Sequence, residues 1–195
     1  MKKLTLVLVV VVAFAATASA QAPKPFSIYA GGAVSLENSP DAFKDGFKTG
    51  FHGMAALGLK MMPMFQVMPK IEYHKFAFDF DGIDGLDGGS LGIWMFGADG
   101  RYSLNMPSSP LKPFFVGGFG FANLKQSDFE GGLAASTLNA SKAESQTKFY
   151  FNIGAGVDLA SNPAFSVFLQ GRYVSIATDN ESLAYIPVTL GVKFF

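Results

Sequence analysis

Two histidines, His52 and His74, and no cysteine are present in the chain, so Ser–His or Cys–His nucleophilic chemistry has few parts to draw on. Gly88-Gly89-Ser90-Leu91-Gly92 spells G-x-S-x-G. A nucleophile elbow needs a strand before its serine and a helix after it; here a loop precedes and a strand follows. The segment "DFDGIDGLDGG" (79–89) sets Asp79, Asp81, Asp84 and Asp87 among glycines. Calcium takes clustered oxygen ligands, but the EF-hand spacing is not met and no glutamate closes the set. The segment reads as an acidic turn-rich loop. Gly118-Phe119-Gly120 and Gly154-Ala155-Gly156 do not complete G-x-G-x-x-G before a helix and read as small strand positions. No catalytic, cofactor-binding or metal-ligating set emerges.

A different group of ionisable residues is more informative. Lys60, Lys70, Glu72, His74, Asp99, Arg101, Asp158, Arg172 and Lys193 all fall on the same parity of segments that alternate apolar and small or polar residues. Alternation with period two is the mark of strands with two unlike faces. Eight such strands are expected, over 26–36, 51–61, 69–79, 91–104, 113–124, 148–160, 165–176 and 184–194. The connections at 62–68, 105–112 and 161–164 are short and proline-bearing; those at 37–50, 80–90, 124–147 and 177–183 are mostly longer and polar. Helical periodicity shows only over 134–145, inside the third long loop. An even number of strands with alternating short and long connections predicts an all-β, eight-stranded up-and-down antiparallel barrel.

The first residues set the compartment. Lys2 and Lys3, the apolar run 4–16 and Ala18-Ser19-Ala20 have the form of a secretory signal peptide cleaved after Ala20. The run is too short for the ~20 residues of a membrane-spanning helix. The domains are therefore a signal peptide, 1–20, and a barrel, 21–195. Removing Lys2 and Lys3 leaves 13 basic residues against 15 acidic ones, a net charge of −2 with no charged block suited to nucleic acid. Charged residues make up only 15% of the chain, while aromatics reach 14% with 21 Phe. Soluble domains average about 25% charged residues.

Those numbers decide which face looks out. In the first strand Phe26, Ile28, Ala30, Val34 and Leu36 oppose Ser27, Tyr29, Gly31, Ala33 and Ser35. In the sixth, Phe149, Phe151, Ile153, Ala155, Val157 and Leu159 oppose Tyr150, Asn152, Gly154, Gly156 and Asp158. A water-facing exterior carries many Lys and Glu, whereas the second face here is small with isolated charges, which suits a narrow lumen. The apolar face then meets lipid, where closure satisfies the backbone. Two aromatic girdles are expected. Phe51, Trp94, Phe96, Phe149, Tyr173 and Tyr185 mark the long-loop end; Phe26, Tyr102, Phe165 and Phe194 mark the short-turn end. The mixed signs of the nine inward ionisable residues predict a salt-bridged plug rather than a one-sign pore. The hairpin around 80–90 sets Glu72 beside Arg101 and His74 beside Asp99.

"KPFFVGGFGFANL" (112–124), "FNIGAGVDL" (151–159) and "PVTLGVKFF" (187–195), with the leader, resemble the opacity-type, OmpA-like outer-membrane β-barrel domain family. The resemblance spans 21–195 and implies a small barrel without a peptidoglycan-binding domain. It also implies a terminal aromatic recognised by the outer-membrane assembly machinery. Alternation ends on Phe194 and leaves Phe195 out of phase, so both stand as candidates for that signal. Lipid A deacylase barrels carry a His and a Ser two apart on one strand face; His52-Gly53-Met54 and His74-Lys75-Phe76 do not fit. The expected protein is a monomeric, non-enzymatic, integral outer-membrane barrel without cofactor, contacting outer-membrane lipid. Its loops are extracellular, both mature termini are periplasmic, and its role is structural or interactive towards a host or surface ligand. A narrow porin for small or apolar solutes is the alternative, and a lipid-modifying enzyme a third reading.

Overall fold

The computed structural model describes residues 26–79, 86–104, 106, 109, 111–131, 136–137, 139, 145–179 and 181–195. In chain order the elements are β1 (Phe26–Ser39), the short helix α1 (Asp41–Gly46), β2 (Gly50–Met62), β3 (Phe65–Ala77), β4 (Leu86–Gly88) and β5 (Ser90–Ser103). They continue as β6 (Lys112–Gln126), β7 (Phe129–Gly131), β8 (Gln146–Ser161), β9 (Phe165–Ile176) and β10 (Leu183–Phe194). Eight strands close into a barrel in the order β1-β10-β9-β8-β6-β5-β3-β2, and the short β4 and β7 pair separately. All pairings are antiparallel, and β1 and β10 complete the ring from Ile28↔Phe194 through Val34↔Val188. This is the eight-stranded up-and-down barrel that the alternation predicts.

The boundaries differ most at β3, which begins at Phe65 rather than near 69. Pro63 and Met64 alone make the turn between β2 and β3. Pro69 lies inside β3, where a missing N–H is tolerated only off the ladder. The β2–β3 ladder breaks there, passing from Ala56↔Lys70 to Leu59↔Val67. Pro187 uses the same device: β9–β10 pairing skips from Tyr185↔Val174 to Val188↔Gly171. The helix α1 was not expected, because six residues are too few to show a helical period. Most of the 134–145 segment lies outside the described residues.

The two faces separate cleanly. Phe51, Phe96, Phe115, Phe119, Phe121, Phe151, Ile153 and Leu190 stand exposed around the outside, an apolar belt far beyond what a water-soluble monomer presents. Toward the long-loop end Tyr73 and Trp94 lie 4.7 Å apart on that exterior, with Phe149 and Tyr173 also exposed; Tyr102, Phe165 and Phe194 are exposed at the other. Tyr185 is the exception to the girdles. It is wholly buried inside the barrel, with its hydroxyl donating to Met95 Sδ, because odd positions of β10 point inward.

Large interior side chains need small neighbours. Gly97 and Gly120 face each other across β5 and β6, and Tyr150 is the next residue in the row. A Cβ on Gly120 would press on the Phe96 carbonyl oxygen and lie 2.9 Å from Tyr150 Cε1. The glycines thus form the shelf on which the Tyr150 ring rests.

Candidate functional site: the barrel interior

The interior is filled in tiers. Toward the long loops, Phe43 of α1 packs edge-on against Phe76 at 5.0 Å, and Phe76 meets Tyr185 at 5.3 Å. Ile93, Met95, Tyr150, Val174 and Ile176 complete this apolar cluster. Toward the short turns a second cluster gathers Tyr29, Met54, Met68, Phe114 and Phe168.

An ionic belt runs through the interior as well. Arg172 Nη2 donates to Glu72 Oε1 at 2.6 Å, and Lys70 Nζ lies 3.4 Å from Glu72 Oε2. Lys70 Nζ also reaches Asp99 Oδ2 at 2.8 Å, while Asn152 Nδ2 donates to Asp99 Oδ1 at 2.9 Å. Arg172 Nη1 stands 3.6 Å from the same Asp99 carboxylate. Two carboxylates thus face two cations, and a balanced set of this kind limits the penalty of burying charge.

A hydrogen-bonded polar chain adjoins the belt. Ser35 Oγ lies 3.1 Å from His52 Nδ1 and 3.0 Å from His74 Nδ1, and His52 Nε2 is 2.9 Å from Thr189 Oγ1. The two imidazoles stack with centroids 4.9 Å apart. His74 Nε2 is 3.6 Å from Glu72 Oε2, beyond hydrogen-bond length. Ser35, His74 and Glu72 repeat the order of a serine triad, yet Ser35 and His74 have no solvent exposure. A nucleophile without exposure offers a carbonyl no approach. Ser90, of the G-x-S-x-G string, opens β5 and bonds Ser127 Oγ at 3.0 Å, with no helix after it.

Nearer the short turns, Arg101 Nη2 contacts both Asp158 oxygens at 2.7 and 2.8 Å. Its guanidinium lies 3.6 Å from the Phe114 ring centroid. Lys193 Nζ sits over Tyr29 at 5.6 Å and over Phe195 at 4.6 Å, and Lys60 is exposed at the mouth. The expected pairings of Glu72 with Arg101 and His74 with Asp99 are not formed. The β3–β5 register sets Glu72 against Met95 and His74 against Ile93, with Arg101 opposite Gln66. The hairpin is centred six residues lower in register sum than the loop composition suggests, and both acids bond across the lumen instead. Ser35 and Asn152 lie on the inward face as the alternation predicts, while the hydrogen bonds that join them to this interior, with His52 and Thr189, are not legible in the sequence.

Phe194 points outward, opposite both Ile28 and Phe165. Phe195 follows the strand, donates its N–H to the Ala164 carbonyl at 3.1 Å, and lines the short-turn mouth. Among the described residues no group of three or more His, Asp or Glu is placed to hold a metal ion; Asp81 and Asp84 lie outside them.

The family model for the outer membrane protein beta-barrel domain matches residues 6–194. No curated protein matches the chain. Among solved structures, Neisserial surface protein A (NspA) is similar with a TM-score of 0.63 and 18% identity, covering 89% of this chain and 99% of that one. The Yersinia pestis outer membrane protein Ail in nanodiscs gives 0.48 and 17%, covering 87% of this chain and 98% of its own. OprG of Pseudomonas aeruginosa gives 0.48 and 14%, covering 87% and 95%.

Proposed function

This chain belongs to the outer membrane protein beta-barrel domain family and is an integral protein of the bacterial outer membrane; from that premise we propose that it is a sealed display barrel, a rigid frame presenting four long loops to a surface partner or host. Export by the 1–20 signal peptide, extracellular long loops, periplasmic chain ends and a monomeric state are parts of the same reading. The observation that carries it is the filled interior. Two apolar clusters and an ionic belt occupy the space a solute would cross. An eight-stranded barrel is just wide enough inside for side chains to fill it, and here they fill its middle. The protein reconstituted in planar bilayers should give no stepwise conductance at physiological salt; stable single-channel openings would sink the display reading in favour of a narrow pore.

The role is not enzymatic on this reading, since the Ser–His–Glu series found among the described residues is enclosed. Lipid A mass spectra from cells with and without the protein should be the same.

The ion pairs are read as structural and the C-terminal aromatic as an assembly signal. Phe194 is the aromatic that shares the outward face with Val188, Leu190 and Val192 on the closing strand. Phe194→Ala should therefore lower the heat-modifiable folded fraction in outer membranes more than Phe195→Ala. The reverse order would mean that recognition counts from the carboxyl end.

A further inference from the structure

At the short-turn end the barrel opens into a polar cavity of about 340 Å³, within the size range of small-molecule sites, roughly 300–1,000 Å³. Each of the eight barrel strands contributes one inward-facing polar residue to it. Three are lysines, Lys60 of β2, Lys112 of β6 and Lys193 of β10. Three are serines, from β1, β5 and β9. The only carboxylate among the cavity's lining side chains is Asp158, and both its oxygens are already held by Arg101. None of the three lysines makes an ion pair among the described residues. With the Phe195 carboxylate also at the lining, the cavity still gathers more ammonium groups than carboxylates behind low-dielectric walls, a layout that concentrates anions.

A second feature is independent of charge. Ser166 is 1% exposed, lines the cavity, and its hydroxyl has no hydrogen-bond partner. Buried hydroxyls are ordinarily satisfied, so an open one calls for something that accepts. Gln66 adds donors of the same kind: its Oε1 is taken by the Tyr29 hydroxyl at 2.7 Å, leaving the amide N–H groups. Ammonium, hydroxyl and amide groups supply more donors than acceptors at this lining and match a ligand whose every oxygen accepts.

We propose that the short-turn mouth of the barrel binds a small, multiply charged oxyanion of the phosphate or pyrophosphate class, free in the adjoining solution. A monocarboxylate, with one charge and two oxygens, would leave part of the lysine set unanswered. The Arg101–Phe114–Tyr29 layer forms the floor, so the ligand docks at the mouth. Binding requires only the mouth, and stands whether or not the deeper lumen conducts.

The test uses the full chain folded in phosphatidylcholine nanodiscs, with inorganic pyrophosphate followed by ³¹P line width at fixed ionic strength. Saturable broadening is expected. Lys60 and Lys112 are both exposed, so the Lys60→Gln/Lys112→Gln variant should fold and weaken binding about tenfold or more, as loss of charged hydrogen bonds predicts. Lys148→Gln, at the opposite end of β8, should change nothing. Gel heat-shift reports folding, and Ser166→Ala, expected to weaken binding less, carries the comparison should the double variant not fold. No saturable broadening, or equal broadening in parent, double variant and Ser166→Ala, overturns the site. Binding that disappears when phosphatidylglycerol enters the nanodisc would assign the pocket to a lipid headgroup and overturn the free-solute proposal.

Discussion

Glu72→Ala should lower the unfolding free energy of the barrel in lipid vesicles by about 3–5 kcal/mol, and Arg172→Ala should do much the same. The double variant should fall short of their sum by roughly 1–3 kcal/mol. Glu72 is 1% exposed and accepts from Arg172 at 2.6 Å, with Lys70 and His74 at its other oxygen. Removing it leaves Asp99 as the sole carboxylate for two buried cations. Removing Arg172 leaves two carboxylates to Lys70 alone. Each single loss therefore strands a charge where water does not reach, and the second loss relieves the first. Urea titration followed by the single tryptophan, Trp94, reads all three variants. A Glu72/Arg101 cycle supplies the contrast. Arg101 sits six positions along the register from the residue facing Glu72, about 20 Å at strand rise, and bonds Asp158. Its effects should simply add. An additive Glu72/Arg172 cycle would mean that the belt does not act as one network.

Why the residues of that belt were legible and their partners were not follows from what alternation encodes. Parity along a strand decides inside or outside, so Lys70, Glu72, Asp99, Arg101, Asp158 and Arg172 could be turned inward from the sequence alone. Glu72 finds Arg172 from β3 to β9, and Arg101 finds Asp158 from β5 to β8. Those meetings depend on strand stagger and on how far side chains reach across a closed ring. Neither quantity is written in any one segment. Even the neighbouring β3–β5 register departs from the expectation, because the ladder ends at Ala77↔Ser90 while Phe78 bridges to Phe47 instead of extending it. The start of β3 differs as well: the expected strand opens on Pro69, yet a break in one ladder lets the proline lie inside a strand that starts at Phe65. Phe43 was hidden for a third reason. A six-residue helix leaves no periodic trace, although it places an aromatic against the interior cluster at the long-loop end.

Two adjacent residues at the middle of β6 should fail for opposite reasons when substituted. Phe119 is 65% exposed on the outer wall, and the chain's place in the outer membrane makes its surroundings hydrocarbon. Phe119→Arg should therefore cost about 2–4 kcal/mol in a bilayer, the range for a cation near the midplane. Tyr102→Arg, on the same face but near the short-turn end of β5, should cost only about 0–1 kcal/mol. Gly120 points the other way. A side chain there would meet the Phe96 carbonyl oxygen and stand 2.6 Å from Gly97 Cα, backbone atoms that cannot swing aside, with the Tyr150 ring above them. Gly120→Val should cost about 1–3 kcal/mol by overpacking, or prevent folding. The medium separates the two mechanisms. Detergent micelles admit water to the barrel wall, so the penalty of Phe119→Arg should shrink on moving from vesicles to micelles. The penalty of Gly120→Val arises between protein atoms and should not change. If both penalties shrink together, the outward and inward faces of β6 are not the distinct solvents that alternation of its side chains implies.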